Sequence, residues 1–415
     1  MRRLLTIFLL LAAVLAAAGC NGARETDEIT YVVTLGIDAA PGGQVTVTYR
    51  LARPAALGGG EGGKGGDGTT SAILSITAPS LAVARDLLNS QVERSPNLAH
   101  VKMIVVGEEL ARRGLADTII PVIRYREYRG SMFLLVAYGT TAENVIRSNT
   151  PVLEKLVSRW TEAIMASAVD SGYYQRTFLH DFLVSVKAGS GSPYVSLIGI
   201  DPLSGQSGPT AGVAAGEKTA EFLPGGTPRR GGNPVVVMGT ALFRGDKMVG
   251  VLTSEETRIF SMLRGKFRNG FLTIEDPLEP ARSVSARVRL GRSPEIDVSL
   301  AGDRPVIDVS ILLEGTITSI ASGINYEAAE YKGLLEERIS EVIRADMAKT
   351  IAYTQQLGVD PVNFGRLVRS SFSTYEDFRR LDWNEIYPTA DVNIKVRTIL
   401  RRSGLMWQTS PIHGE

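Results

Sequence analysis

One cysteine, Cys20, stands in a chain of 415 residues. No intrachain disulfide can form, so packing alone must hold whatever this chain folds into. Cys20 follows directly on an apolar run from Leu4 to Ala18, and Arg2 and Arg3 precede that run. A basic start, a short apolar run and small residues before a cut make a secretory signal. The run is shorter than the roughly 20 apolar residues of a good membrane-spanning helix. Residues 1–19 therefore read as a leader, and the chain beyond them as exported.

The stretch Leu15-Ala16-Ala17-Ala18-Gly19-Cys20 resembles a bacterial lipobox, in which the thiol is lipidated and the chain is cut before the cysteine. A diacylglycerol thioether carries two acyl chains, enough for stable anchoring where a single chain is marginal. Cys20 is the expected lipid-attachment site, and the protein is expected to work tethered at the outer face of a membrane. Two other readings are an ordinary cut near Ala18 with an incidental Cys20, and an uncleaved anchor.

About 395 residues then remain, room for two or three domains at roughly 100 to 200 residues each. Thr30 to Leu35 and Gln44 to Leu51 read as strands joined at Pro41-Gly42-Gly43, and Ser71 to Ile76 resumes the sheet. Ser80 to Val92 has helical apolar spacing, and Val101 to Gly107 and Ser131 to Tyr138 read as buried strands. Helices are predicted over 108–113 and 115–125, broken at Gly114, and from Thr141. Strands alternating with helices predict an α/β domain over 20–150 with a mixed sheet.

Amphipathic helices are predicted over 152–168, with Leu153, Leu156, Trp160 and Ile164 inward, and over 176–186, with Phe178, Phe182 and Val186 inward. Val235 to Phe243 and Met248 to Leu252 form a hairpin about Gly245-Asp246. Thr253 and Glu256 have capping-box spacing for a helix ending at Gly265, and Phe271 to Ile274 re-enters a sheet. This middle region, 151–278, is expected to be a domain of its own. From Arg282 the pattern alternates through several antiparallel strands. A long helix is predicted from an Asn325 N-cap to about Gln356, and a strand over 390–400 closes a third domain, 279–415. The fold class is α+β: multidomain, with mixed and antiparallel sheets packed against helices and a long helix in the C-terminal domain.

Chemistry is hard to find in these residues. Gly60 to Gly65 spells G-x-G-x-x-G, but glycine and a strand-like run follow it where a dinucleotide site needs a helix. Gly212 and Gly216-Glu217-Lys218-Thr219 miss the phosphate-loop spacing. His100, His180 and His413 are far apart, with no cysteine cluster, so no metal is expected. No G-x-S-x-G elbow occurs. Glu255 and Glu256 are better explained by capping than by acid–base work. With 45 basic and 44 acidic residues and no basic block, nucleic-acid binding is not expected. No catalytic residue and no cofactor is assigned.

The segments Gly239-Thr240-Ala241-Leu242-Phe243-Arg244-Gly245-Asp246-Lys247-Met248-Val249-Gly250, Glu255-Glu256-Thr257-Arg258 and Leu263-Arg264-Gly265-Lys266 closely resemble the C subunit of spore nutrient germinant receptors, the Ger(x)C lipoproteins. The resemblance extends upstream through Ala99-His100-Val101-Lys102 and Val105 to Leu110. Downstream it takes in Lys349-Thr350, Gln355, Asp360, Phe364-Gly365 and Trp383, so that most of the exported chain is covered. It implies a lipid-anchored, non-enzymatic receptor subunit on the outer face of the spore inner membrane. The implied partners are the membrane-spanning A and B subunits, and the implied role is nutrient-triggered germination. The alternative function is an extracytoplasmic solute-binding lipoprotein or a cell-wall hydrolase.

Overall fold

A computed structural model describes residues 28–52, 71–125, 127–201, 221–302, 304–370 and 372–402, together with position 3. The elements in chain order begin with strands β1 (Ile29–Ala39), β2 (Val45–Ala52) and β3 (Ser71–Ala78), helix α1 (Leu81–Gln91), then β4 (Ser95–Asn97) and β5 (Met103–Gly107). Helices α2 (Glu108–Arg113) and α3 (Ala116–Arg124), strand β6 (Phe133–Ala137) and helices α4 (Ala142–Ser148), α5 (Val157–Ala166), α6 (Ala168–Ser171) and α7 (Leu179–Ala188) follow. Strands β7 (Tyr194–Ile200), β8 (Val235–Arg244) and β9 (Lys247–Leu252) lead into α8 (Ser254–Leu263). The remainder is β10 (Gly270–Glu275), β11 (Ser283–Leu290), β12 (Glu295–Ala301), β13 (Arg304–Ile320), α9 (Ala329–Gln356), α10 (Gly365–Arg369), α11 (Tyr375–Arg380), α12 (Trp383–Ile386) and β14 (Asp391–Arg402).

The first sheet runs β3-β2-β1-β5-β6-β7-β8-β9, with β4 beside β1. Its centre is parallel and its flanks antiparallel. Every residue of β5 and β6 is buried, as strands covered on both faces must be. Side chains alternate between two cores. Ile104, Val106, Leu134 and Val136 meet α1, α2, α3 and α7, whereas Met103, Val105, Phe133 and Leu135 meet α4, α5 and α6. The result is three layers, helix on sheet on helix.

The expected boundary at 150–151 falls inside this sheet, because β6 pairs with β7 directly across it, Leu135 opposite Ser196. The described residues of 151–278 have no sheet of their own: through β9 they complete the first sheet, and from β10 they start the second. A local reading of Pro151 sees a break in the chain, while sheet membership is set by pairings far apart in sequence. The 152–168 helix also needs correction. Leu153 is 97% exposed, the helix begins at Val157, and its inward residues are Val157, Thr161 and Met165, with Trp160 and Ile164 only partly covered.

The second sheet runs β10-β11-β13-β12, and β14 lies along the other side of β13. β10 to β13 are antiparallel as expected, but β14 runs parallel to β13, Val306 opposite Asp391, so this sheet is mixed. A parallel return needs a long crossover, and α9 supplies it. Leu335, Ile339, Ile343, Met347 and Ile351 of α9 face the sheet, a burial worth on the order of 10 kcal/mol before ordering costs. Polar locks fix its position: the Thr398 amide donates to Ser340 Oγ at 3.0 Å, and the Leu400 amide to Glu336 Oε1 at 2.7 Å.

Asn325 is not the cap of this helix, which starts four residues later behind Ala328. Tyr326 explains the delay. It is fully buried, and its hydroxyl donates to Asp276, which pins residues just before the helix into the turn after β10. Asp276 also accepts from the amides of Leu278 (2.9 Å) and Glu279 (3.1 Å) and from Ser322 Oγ (2.6 Å). Burial pushes the Asp276 carboxyl up, but these donors outweigh it and hold it below its ordinary value of 3.8. A depressed folded value contributes stability that is full above the ordinary value and is lost as pH falls through the depressed one. Asp276→Asn is therefore expected to cost most near neutral pH, and the gap in Tm from the parent should shrink by about pH 3. An unchanged gap between the two pH values would remove the carboxylate's charge from the account.

Candidate functional site at the junction of the two sheets

Of the residues that carry the family resemblance, Arg244, the 253–264 segment, Lys349, Asp360, Gly365 and Trp383 meet where the two sheets abut. Thr253 caps α8 as its spacing requires: its amide donates to Glu256 Oε2 at 2.9 Å, and its Oγ1 accepts from the Glu256 amide at 3.4 Å. Beyond the cap, every residue from Thr257 to Leu263 is buried, since α8 is packed all round. Ile259, Met262 and Leu263 enter the core of the second sheet, while Phe260 packs with Leu242, Leu252 and Val359.

Arg258, the last residue of the Glu-Glu-Thr-Arg run, is only 3% exposed. Its guanidinium donates to the carbonyls of Ser171 (3.1 Å) and Phe271 (3.0 Å) and to Glu255 Oε2 (3.0 Å), and it lies 4.3 Å over the Tyr173 ring. One side chain thus joins α8, β10 and the α6–α7 connection. Burial pushes the Glu255 carboxyl up, and the adjacent Arg258 pulls it back.

A second knot forms behind α9, which Gly358 ends in the left-handed region. Asp360 is fully buried. Its carboxylate accepts from the amides of Asn363 (2.7 Å) and Gly365 (3.0 Å) and from Trp383 Nε1 (2.8 Å). Its backbone pairs with Ser192 of the first sheet's unit: the Ser192 amide donates to the Asp360 carbonyl at 2.7 Å, and the Asp360 amide to Ser192 Oγ at 2.9 Å. Arg244 donates to the Leu357 carbonyl, Arg264 to the Pro361 carbonyl at 2.8 Å, and Lys349 pairs with Glu221 at 2.7 Å. Burial pushes the Asp360 carboxyl up, and the Gly365 amide and Trp383 indole pull it down.

Beside this knot a groove of about 510 Å³ opens between α7 and the 361–366 segment. Arg176, His180, Tyr194, Arg264, Asn363 and Arg366 are among the residues that line it. Of these only Arg264 lies in a motif quoted for the family. The sequence marks His180 only as one of three histidines too far apart to hold a metal and does not single out the remaining four, and the one available signal is the Asp360-Pro361-Val362-Asn363-Phe364-Gly365 run, a turn-forming composition.

Other expected positions scatter. His100 packs edge-on against Tyr31, ring centroids 4.5 Å apart, and Lys102 pairs with Glu162 at 2.6 Å. Gln355 donates to the Ala390 carbonyl at 2.8 Å, closing α9 on the start of β14. Cys20, the Gly58–Gly68 run, the 216–219 segment and His413 lie outside the described residues. Among the described residues no group of histidine, cysteine and carboxylates is placed to hold a metal, and no helix is long and apolar enough to cross a membrane.

Residues 22–200 match the spore germination protein N-terminal domain, and residues 238–404 match the spore germination B3/GerAC-like C-terminal domain. Among individual relatives, spore germination protein KC of Bacillus subtilis is 22% identical over 413 residues, covering 97% of each chain. Spore germination protein B3 of the same organism is 22% identical, covering 91% of this chain and 92% of its own. The crystal structure of the GerBC protein shares the fold, with a TM-score of 0.52 at 17% identity, over 88% of this chain and 96% of that one. The two domain matches follow one another in order across well over half of the sequence, and the protein belongs to the GerAC-like, or Ger(x)C, family of spore germination proteins.

Proposed function

We propose that this protein is the lipid-anchored, non-enzymatic C subunit of a spore nutrient germinant receptor. In this reading Cys20 holds it to the outer face of the spore inner membrane, where it works with two membrane-spanning subunits, A and B. Family membership assigns it to spore germination, and the observation that carries the finer reading is the match of both domains, in order, over nearly the full length of its relatives. A cysteine directly behind a leader-like run supports the anchor. The junction supports a scaffolding part. The motif residues Arg258, Asp360 and Trp383 are buried and spend their hydrogen bonds on other elements of the same chain. What these residues do is hold two units in one arrangement, which a docking subunit needs.

Co-purification from spore membranes tests this. Wild-type protein is expected in the membrane fraction with multi-span partners, and Cys20→Ser is expected to lose both the lipid and the complex. Wild-type protein that is recovered without partners would overturn the receptor-subunit reading, and a Cys20→Ser variant that keeps its lipid would overturn the anchor.

A further inference from the structure

The groove at the junction is built for an anion. Arg176, Arg264, Lys266 and Arg366 all line it, against the single carboxylate of Asp181. None of the four cations forms an ion pair with a carboxylate among the described residues, whereas arginines such as Arg112, Arg147, Arg289 and Arg304 do. Two of them rest on aromatic rings instead: Arg176 lies 5.6 Å over Phe178, and Arg264 lies 4.9 Å over Tyr194. Such stacking orients a guanidinium; Arg264 gives one donor to the Pro361 carbonyl, and no hydrogen bond within the described residues occupies the donors of Arg176.

Two further polar groups on the wall want partners. Thr177 is 4% exposed and its Oγ1 has no hydrogen-bond partner among the described residues, and Arg264 Nε is likewise buried and unpaired. Buried donors left unmade are costly and rare in native proteins. The groove's size falls in the range of small-molecule pockets, which favour the seams between units. Its walls come from both units, with Arg176, His180 and Tyr194 from the first and Asn363 and Arg366 from behind α9.

We infer that this groove binds a small organic carboxylate. Its carboxylate meets the arginines, and its apolar body lies against Val184 and Ala188, which also line the groove. Because the two arginines furthest apart in sequence belong to different units, the bound molecule bridges the junction. This inference stands apart from the receptor-subunit reading, since it rests on the groove alone.

Isothermal titration of the full chain in detergent with benzoate, glutamate, citrate and inorganic phosphate tests it. At least one of the three carboxylates is expected to bind saturably below about 10 mM, more tightly than phosphate, and to weaken as NaCl rises from about 50 to 500 mM. Arg176→Gln and Arg366→Gln, both at exposed side chains, should each weaken that binding by about tenfold with Tm unchanged. No carboxylate binding, binding that ignores both substitutions, or phosphate binding as tightly as the carboxylates would overturn the proposal. An effect of only one of the two substitutions would overturn the bridging geometry.

Discussion

Asp360→Ala is expected to lower the stability of the protein by about 4 kcal/mol, at about 1–3 kcal/mol for each buried donor left without an acceptor. Three donors lose their acceptor at once: the amides of Asn363 and Gly365 and the Trp383 indole. The Gly365 amide and the Trp383 indole cannot turn to water, since both residues are buried with it. Asp360→Asn keeps one acceptor oxygen and sets an NH2 against the remaining donors, so it should recover only part of the loss. Gly365→Ala reaches the same knot by a different route. An added Cβ would sit 2.5 Å from the Ser190 carbonyl oxygen and from Trp383 Cδ1, and neither a backbone oxygen nor a packed indole can withdraw. Urea unfolding followed by tryptophan fluorescence measures all three. A midpoint within error of the parent for Asp360→Ala would show that the two units are held together elsewhere.

Arg258→Ala should cost a similar amount, about 3–5 kcal/mol, through a different set of orphans. It strips the donor from two buried carbonyls, Ser171 and Phe271, and leaves Glu255 without its charge partner. With Arg258 gone, the Glu255 carboxyl should be driven further up by burial and take up a proton more readily. Arg258→Lys keeps the charge but not the planar fork, which here serves three acceptors in different directions, so it should remain well below the parent. Thermal unfolding of the three proteins distinguishes these roles. If lysine restores the parent Tm, charge alone suffices and the fork is dispensable.

What could be read in advance was local. The Gly245-Asp246 hairpin, the Thr253–Glu256 cap and the break at Gly114 each follow from residues within a few positions of one another, and all stand in the structure. Errors came where a distant residue decides. Nothing near Asn325 reveals that Tyr326 is claimed by Asp276, fifty positions earlier. The inward face of α5 depends on where the helix starts, which is set by its contact with the sheet rather than by its own periodicity. Membership of β7 to β9 in the first sheet depends on a strand pairing that no spacing rule contains. The junction was legible only as a set of residues shared with a family. That Asp360, Trp383 and Ser192 touch could not be read, because Ser192 precedes Asp360 by 168 positions.

The parallel seating of β14 beside β13 sets an order of events. β13 finds β12 at once, across a tight turn, but its other edge must wait until the whole of α9 and the short helices behind it have been made. Contacts this far apart along the chain close late and slowly. In the interval a strand of 17 residues offers an unpaired edge to any neighbouring chain. Synthesis of this protein therefore passes through a sticky stage that ends only when its last strand arrives, and a chain cut anywhere in α9 would remain at that stage for good.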